Sequence, residues 1–214
     1  MRVPDRAWLA RDPVVVAPLL LGATLAHDGE DGRVAIRITE VEAYRGADDP
    51  GAHSFRGRTA RNATMFGEAG HLYAYFTYGM HHAINVVAGA VGDGHGILVR
   101  AGAVVEGEPI ARARREARPR RSAIVELARG PGNLAQALGA TLADDGADLL
   151  GDGPWRLLLD DAHPDGGLPH RTGPRVGVSG DGGDGARFPW RCWLPGEPSV
   201  SAYRAAAPRR RQAT

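Results

Sequence analysis

The run from Ile36 to Tyr44 places Glu40, Glu42 and Tyr44 at every second position. On a strand that spacing puts all three on one face and Val41 and Ala43 on the other, so two carboxylates and a phenol share a surface. Carboxylates so placed repel each other when both are ionised, and such pairs supply general bases. A solvent-facing strand edge would carry the same residues. A second concentration lies between Leu72 and Met80, where Tyr73, Tyr75, Phe76 and Tyr78 stand close together although aromatic residues make up only 6% of the chain. Such rings fill a core, or they stack on nucleobases at about 1–3 kcal/mol per base. Tyr78 precedes Gly79 at an expected turn, where an exposed ring has no core to enter and could fill a gap in a base stack.

Other chemistries are narrowed by composition. All 26 basic side chains are arginines, which do not give up a proton to become amine nucleophiles, so lysine Schiff-base chemistry is excluded. The single Cys192 permits no internal disulfide and no cysteine-ligated zinc or iron–sulfur centre, and reads as a buried structural cysteine. The eight histidines include no H-E-x-x-H, and the adjacent His81 and His82 would point to opposite faces of a strand. Neither a metal nor a cofactor is expected. Gly130-Pro131-Gly132-Asn133 opens a helix whose first amides could hold a phosphate, a signal shared by many helix starts.

The elements that must position these residues follow from pattern and punctuation. Asp12 before Pro13 is a helix N-cap and first-turn pair, and Gly22 is placed to end that helix. Ala23 to His27 and Arg33 to Ala43 read as strands around the turn-rich residues 28–32. A loop over residues 45–71 leads to a second hairpin, Leu72 to Tyr78 and His82 to Ala88, broken at Gly79-Met80. Ile97 to Val105 is a further strand and Glu108 to Ala117 a charged helix. Ala123 to Ala128 and Asn133 to Leu138 are short helical pieces split by Gly130-Pro131-Gly132. Trp155 to Leu159, Arg175 to Ser179 and Arg187 to Leu194 read as short strands, and Gly180 to Gly185 as a mobile loop. The class is α+β, with a curved mixed or antiparallel sheet flanked by helices.

A chain of 214 residues with 43% hydrophobic composition buries one sizeable core, and residues 1–214 read as one domain with a flexible basic tail from about residue 205. The formal charge of +1 and pI near 8.0 are too mild to point to nucleic acid by themselves. Local fields remain: Arg112, Arg114, Arg115, Arg118, Arg120 and Arg121 crowd one stretch, and Arg209, Arg210 and Arg211 another. Each run also fits a solvated helix face or a frayed tail. Arg2, Arg6 and Arg11 before the apolar residues 13–21 superficially imitate a secretory signal, but a short buried helix explains the same residues. No segment reaches the roughly 20 apolar residues of a membrane span.

Taken together, several motifs closely resemble the alkyladenine (3-methyladenine) DNA glycosylase family. They are Glu40-Val41-Glu42-Ala43-Tyr44, Ala52-His53-Ser54, the run Arg58 to Phe66, and Tyr73 to Met80 with Asn85. The likeness continues through Leu98-Val99-Arg100-Ala101, Gly130 to Leu138, Arg175-Val176-Gly177-Val178 and Pro198-Ser199-Val200-Ser201, so it covers nearly the whole chain. Only the segment Gly89 to Gly96 is slightly longer than the mammalian pattern. The resemblance implies a single α+β domain similar to the formyltransferase carboxy-terminal-domain fold, whose β-hairpin enters the DNA minor groove. It implies Glu42 as general base and Arg100 as a holder of the catalytic water. Tyr44, His53 and Tyr75 would sandwich a flipped base, and Asn85 would screen purines bearing a 2-amino group. Tyr78 would intercalate, with Met80 beside it in the groove.

The implied activity is base-excision repair. A damaged purine such as 3-methyladenine or 7-methylguanine, extending to hypoxanthine and ethenoadenine, is flipped from double-stranded DNA and its N-glycosidic bond is hydrolysed to an abasic site. Flipping costs a few kcal/mol, least for damaged bases. A purine alkylated at N3 or N7 is cationic, so aromatic faces attract it by about 0.5–2 kcal/mol and it leaves with little acid catalysis. Neutral lesions need a proton donor that the sequence does not reveal. Without lysine, lyase activity is not expected. A monomer in the cytoplasm, at the nucleoid of a bacterial cell, is the expected setting. The alternatives are a non-catalytic damaged-base-binding protein and a hydrolase acting on RNA or nucleotides through the same pocket.

Overall fold

The computed structural model describes residues 1–77, 81–115, 122–161 and 167–206. The chain opens with α1 (Arg6–Leu9) and α2 (Pro13–Val16), each started by an aspartate whose side chain accepts from an amide two residues on: Asp5 from Ala7 and Asp12 from Val14. The expected single helix from Pro13 is shorter. Pro18 has no N–H to continue the α-helical ladder, and Ala17–Leu20 tightens into a 3₁₀ turn. Val16, Ala17 and Leu20 are buried in the core, as a short buried helix requires.

The strands are β1 (Thr24–Gly29), β2 (Gly32–Arg45), β3 (Leu72–Thr77), β4 (His81–Ala88) and β5 (His95–Glu106), followed by α3 (Glu108–Arg115) and α4 (Pro131–Leu138). Then come β6 (Trp155–Leu158), β7 (Arg171–Gly173) and β8 (Arg191–Trp193). They form one sheet in the order β3-β4-β5-β2-β1-β6, with β8 joining β2 and β7. Every strand pairing among the described residues is antiparallel, which narrows the mixed-or-antiparallel expectation. With the helices packed against it, the fold is α+β. α4 lies on β4 and β5 and buries Leu134, Ala135 and Leu138 against them, while α3 packs on α4. No described helix is long and apolar enough to cross a membrane.

β2 is the axis of the site. Its first half pairs with β1 through Thr24 opposite Arg37, and its second half exchanges that neighbour for β8, with Glu40, Val41 and Glu42 opposite Trp193, Cys192 and Arg191. At the exchange the pairing with β5 runs Ile38 with Gly102, Glu40 with Ala101 and Val41 with Val99, so Thr39 and Arg100 are each passed over. This paired bulge changes which residues face the core, from the even positions Val34, Ile36 and Ile38 to the odd positions Val41 and Ala43. Strict alternation from Ile36 would drive Glu40 and Glu42 into the apolar core. The bulge turns them to the opposite side and re-aims Arg100 with them.

Three expectations are corrected. Arg175 to Ser179 is a loop, because Pro174 cannot donate to a ladder and Gly177 takes a left-handed φ of 72°. Of Arg187 to Leu194, Pro189 leaves only Arg191–Trp193 as strand. Residues 180–185 are not a free loop: Gly180–Gly183 forms a 3₁₀ turn with Gly182 buried against the backbone of Gly51, where an added Cβ would collide. In the arginine run, Arg112 donates to Glu108 and the Ser122 carbonyl, Arg114 to Asp31 and the Ala137 carbonyl, and Arg115 to Gln136. These three tie α3 down, contrary to a solvated face. Arg118, Arg120 and Arg121, and the tail from residue 207, lie outside the described residues.

Candidate active site

Glu40 and Glu42 are both completely buried, so neither belongs to a solvent-facing strand edge. Burying two carboxylates is tolerable only if donors satisfy them, and here the donors come from distant segments. Glu42 Oε1 accepts the Val176 N–H at 2.7 Å, and Oε2 accepts the Tyr44 hydroxyl at 2.8 Å and Arg100 Nη1 at 3.3 Å. Glu40 Oε1 accepts Arg191 Nε at 2.6 Å, Arg100 Nε at 3.1 Å and the Ser201 hydroxyl at 2.9 Å. Its Oε2 accepts the Ser201 N–H at 2.7 Å. Arg100 therefore spans the two carboxylates. Burial works against the charge on Arg100, but Glu42 and Glu40 outweigh it and raise its pKa. Burial, then the charge of Glu42, holds the Tyr44 pKa well above its ordinary value, so its phenol keeps the proton it donates.

A second buried pair supports this one. Arg175 grips Asp49 with both Nη atoms, at 2.5 and 2.7 Å, and also donates to the carbonyls of Ala43 and Gly182. Its guanidinium lies 4.6 Å from the Tyr44 ring centroid and 5.4 Å from that of Trp190, an all-round cation–π contact. Arg175 thus fixes the ring of Tyr44 and the loop that offers the Val176 N–H to Glu42. Arg175, Val176 and Ser201 fall in motifs that carry the resemblance but were given no role in the site, and Asp49 and Arg191 were not singled out at all. Glu40 was visible there only as a neighbour of Glu42.

Three of the aromatic side chains meet, His53, Tyr73 and Tyr75. His53 meets Tyr75 edge-on at 4.6 Å, and Tyr73 stacks on Tyr75 at 5.4 Å. Beneath them Met65, Tyr73 and Val87 form a small core of their own, with Phe66 and Tyr75 packed against it. Burial, and then the charge of Arg61, holds the His53 imidazole below its ordinary pKa. Asn85 is buried in β4 opposite Tyr73, and its side chain donates to the Tyr73 carbonyl at 3.4 Å. Tyr78 and Met80 lie outside the described residues. Burial pushes the Cys192 thiol up to about 11, as suits a structural cysteine. The described residues hold no group of three or more His, Cys, Asp or Glu arranged to bind a metal ion.

A carboxylate fixed by an arginine, a phenol and an amide can hold and deprotonate a water, and a cluster of rings can receive a flat, electron-poor group. Residues 7–198 match the family described as Methylpurine-DNA glycosylase (MPG), and the chain belongs to that family. A proposed 3-methyladenine DNA glycosylase of Leifsonia xyli subsp. xyli is 55% identical over 203 residues, covering 94% of this chain and 92% of that protein. Its counterpart from Streptomyces avermitilis is 49% identical over 217 residues, covering 98% of each chain. The one from Mycobacterium tuberculosis is 47% identical over 205 residues, covering 93% of each.

Proposed function

We propose that this protein is a base-excision DNA glycosylase that takes 3-methyladenine and related alkylated purines out of duplex DNA and hydrolyses their N-glycosidic bond. The observation that carries the reading is the buried Glu42, held by three donors, one of which, Tyr44, feels the charge of Tyr75 in the His53–Tyr73–Tyr75 ring cluster. Among the described residues Glu42 Oε1 has a single donor, the Val176 N–H. A carboxylate oxygen offers two lone pairs, so Oε1 retains one for the proton of a water attacking C1′. Arg100 and Tyr44 orient the carboxylate, and Arg100 offsets the charge of Glu40 close by.

Tyr44, His53 and Tyr75 flank the extruded base in this reading, and a cationic purine gains from their faces. His53 stands edge-on against Tyr75, so its ring turns aside to admit a base between them. Asn85 stands at the inner end and excludes a purine 2-amino group, and Tyr78, with Met80 beside it, fills the gap left in the duplex. Lacking lysine, the protein hydrolyses the bond without forming an imine, so the sugar–phosphate strand stays intact. It works as a monomer in the compartment that holds the chromosome.

The test is release of free 3-methyladenine and 7-methylguanine from alkylated duplex DNA in the presence of a chelator, with the strand then examined for breaks. Free base and an unbroken abasic strand are expected. Tight lesion binding without release would instead identify a non-catalytic damaged-base binder, and strand cleavage would overturn the hydrolytic route.

A further inference from the structure

With a formal charge of only +1, the chain cannot draw a polyanion by its total charge, so DNA has to meet local groups of uncompensated arginine. Many of the described arginines are compensated at close range: Arg33 by Asp28 and Glu106, Arg37 by Glu197, Arg114 by Asp31. Arg204 differs: it lines a cleft of about 620 Å³ that borders the Glu42 site, where Arg100 is already paired with Glu40 and Glu42 and Arg129 lies near Glu126. Arg100 and Val176, two of the residues that hold Glu42, form part of its wall, and Arg129 and Arg204 line it with them. None of its lining residues is acidic.

The backbone fixes both outer arginines beside Arg100 and Val176. Arg129 forms a β-bridge with Ala101, the neighbour of Arg100. The Arg204 carbonyl accepts the N–H of Gly177, the neighbour of Val176, at 3.0 Å. The Arg129 guanidinium donates to the Pro198 carbonyl and lies 3.7 Å from half-exposed Glu126. The Arg204 guanidinium makes no hydrogen bond or ion pair with any described residue.

We propose that this cleft seats a backbone phosphodiester of the DNA strand, one that flanks the nucleotide losing its base. The inference rests on the proposed function. Hydrolysis at C1′ brings the sugar against Glu42, and that sugar carries a phosphodiester at its 3′ and its 5′ oxygen. One of these anions therefore falls within a nucleotide's own reach of the buried carboxylate, and cations have to stand between the two negative charges. Arg100 stands between, and the planar guanidinium groups of Arg129 and Arg204 match phosphate oxygens on the far side.

The experiment follows binding of a lesion-bearing duplex across a salt titration for the wild type, Arg204→Gln, Arg129→Gln/Arg204→Gln and Arg33→Gln. The last removes the same unit of charge from the β1–β2 turn. Losing one phosphate contact should make the slope of log Kd against log salt shallower by about 0.9, and losing two by about twice that. Arg33→Gln should leave the slope unchanged. Arg204→Gln breaks no hydrogen bond to a described residue, so it carries the test even if the double variant fails to fold. An unchanged slope in Arg204→Gln, or an equal change in Arg33→Gln, overturns the phosphate seat. A wild type that binds duplex but releases no base would overturn the glycosylase reading alone, and the slope change would then still support the seat.

Discussion

Replacing Glu40 by glutamine tests whether the second carboxylate is what holds Arg100 in place. Glu40 is fully buried and takes four donors: two guanidinium groups, a hydroxyl and a backbone N–H. Glutamine keeps the shape but has one acceptor oxygen. If that oxygen receives the arginines, the amide NH2 confronts the Ser201 N–H, donor against donor. The charge balance fails as well, since Arg191 loses its carboxylate and Arg100 keeps only Glu42. Removing one partner of a buried, hydrogen-bonded ion group costs about 3–5 kcal/mol. For a chain of this length that lowers Tm by about 6–20 °C. Freed from Glu40, the Arg100 guanidinium shifts relative to Glu42, and misplacement by about 1 Å is enough to slow base release about 10²-fold. A double-mutant cycle separates this cause from general damage. Arg191→Met removes the surplus cation, so Glu40→Gln/Arg191→Met should be more stable than the sum of the single losses, by at least about 1 kcal/mol. Thermal melts and single-turnover excision read both effects. Additive losses within about 0.5 kcal/mol, or a Glu40→Gln enzyme that melts and turns over like the wild type, would refute the reasoning.

Gly182→Ala should push the 180–183 turn off the Gly51 backbone and withdraw the carbonyl that Arg175 uses. Overpacking of this kind costs about 1–3 kcal/mol, so a Tm unchanged within a degree would argue that the turn yields freely. His53 should make lesion binding sensitive to acid. Its pKa is lowered in the fold, by burial first and then by Arg61, while the unfolded chain takes up the proton near about 6.5. The stability from this group is therefore present above about pH 6.5 and is lost as pH falls through the lower folded value. Over that same fall the ring becomes a cation facing a cationic purine, and Kd for 3-methyladenine DNA should rise. In His53→Phe that rise should shrink, and an identical acid limb in the variant would place its cause elsewhere.

What could be read from sequence was local. Asp12 with Pro13, the turn-rich residues 28–32 and the β-branched run of β2 are short-range signals, and the structure places those elements within a few residues of the expected bounds. The pairing of Glu40 and Glu42 on one side was visible for the same reason. The bulge that makes it possible was hinted at by a conflict in the pattern. Ile36 and Ile38 demand one parity and Val41 and Ala43 the other, and only an irregularity between them satisfies both. The partners of the carboxylates were out of reach. Arg175 is buried because Asp49, Ala43 and Gly182 satisfy it across up to 132 positions, and no local periodicity records such a match. Residues 175–179 form a loop rather than a strand because Pro174 and Gly177 break the ladder that the hydrophobic pattern suggests, while Gly180–Gly183 is a packed 3₁₀ turn because Gly182 sits on the Gly51 backbone.

The most direct test of the account is single-turnover release of 3-methyladenine by Glu42→Gln beside the wild type, with Kd for the same lesion duplex measured on both. If Glu42 activates the water, release should fall by about 10²–10⁴-fold while the Kd stays within a fewfold of the wild type. A variant that releases base within tenfold of the wild-type rate would contradict the assignment of Glu42 as the base.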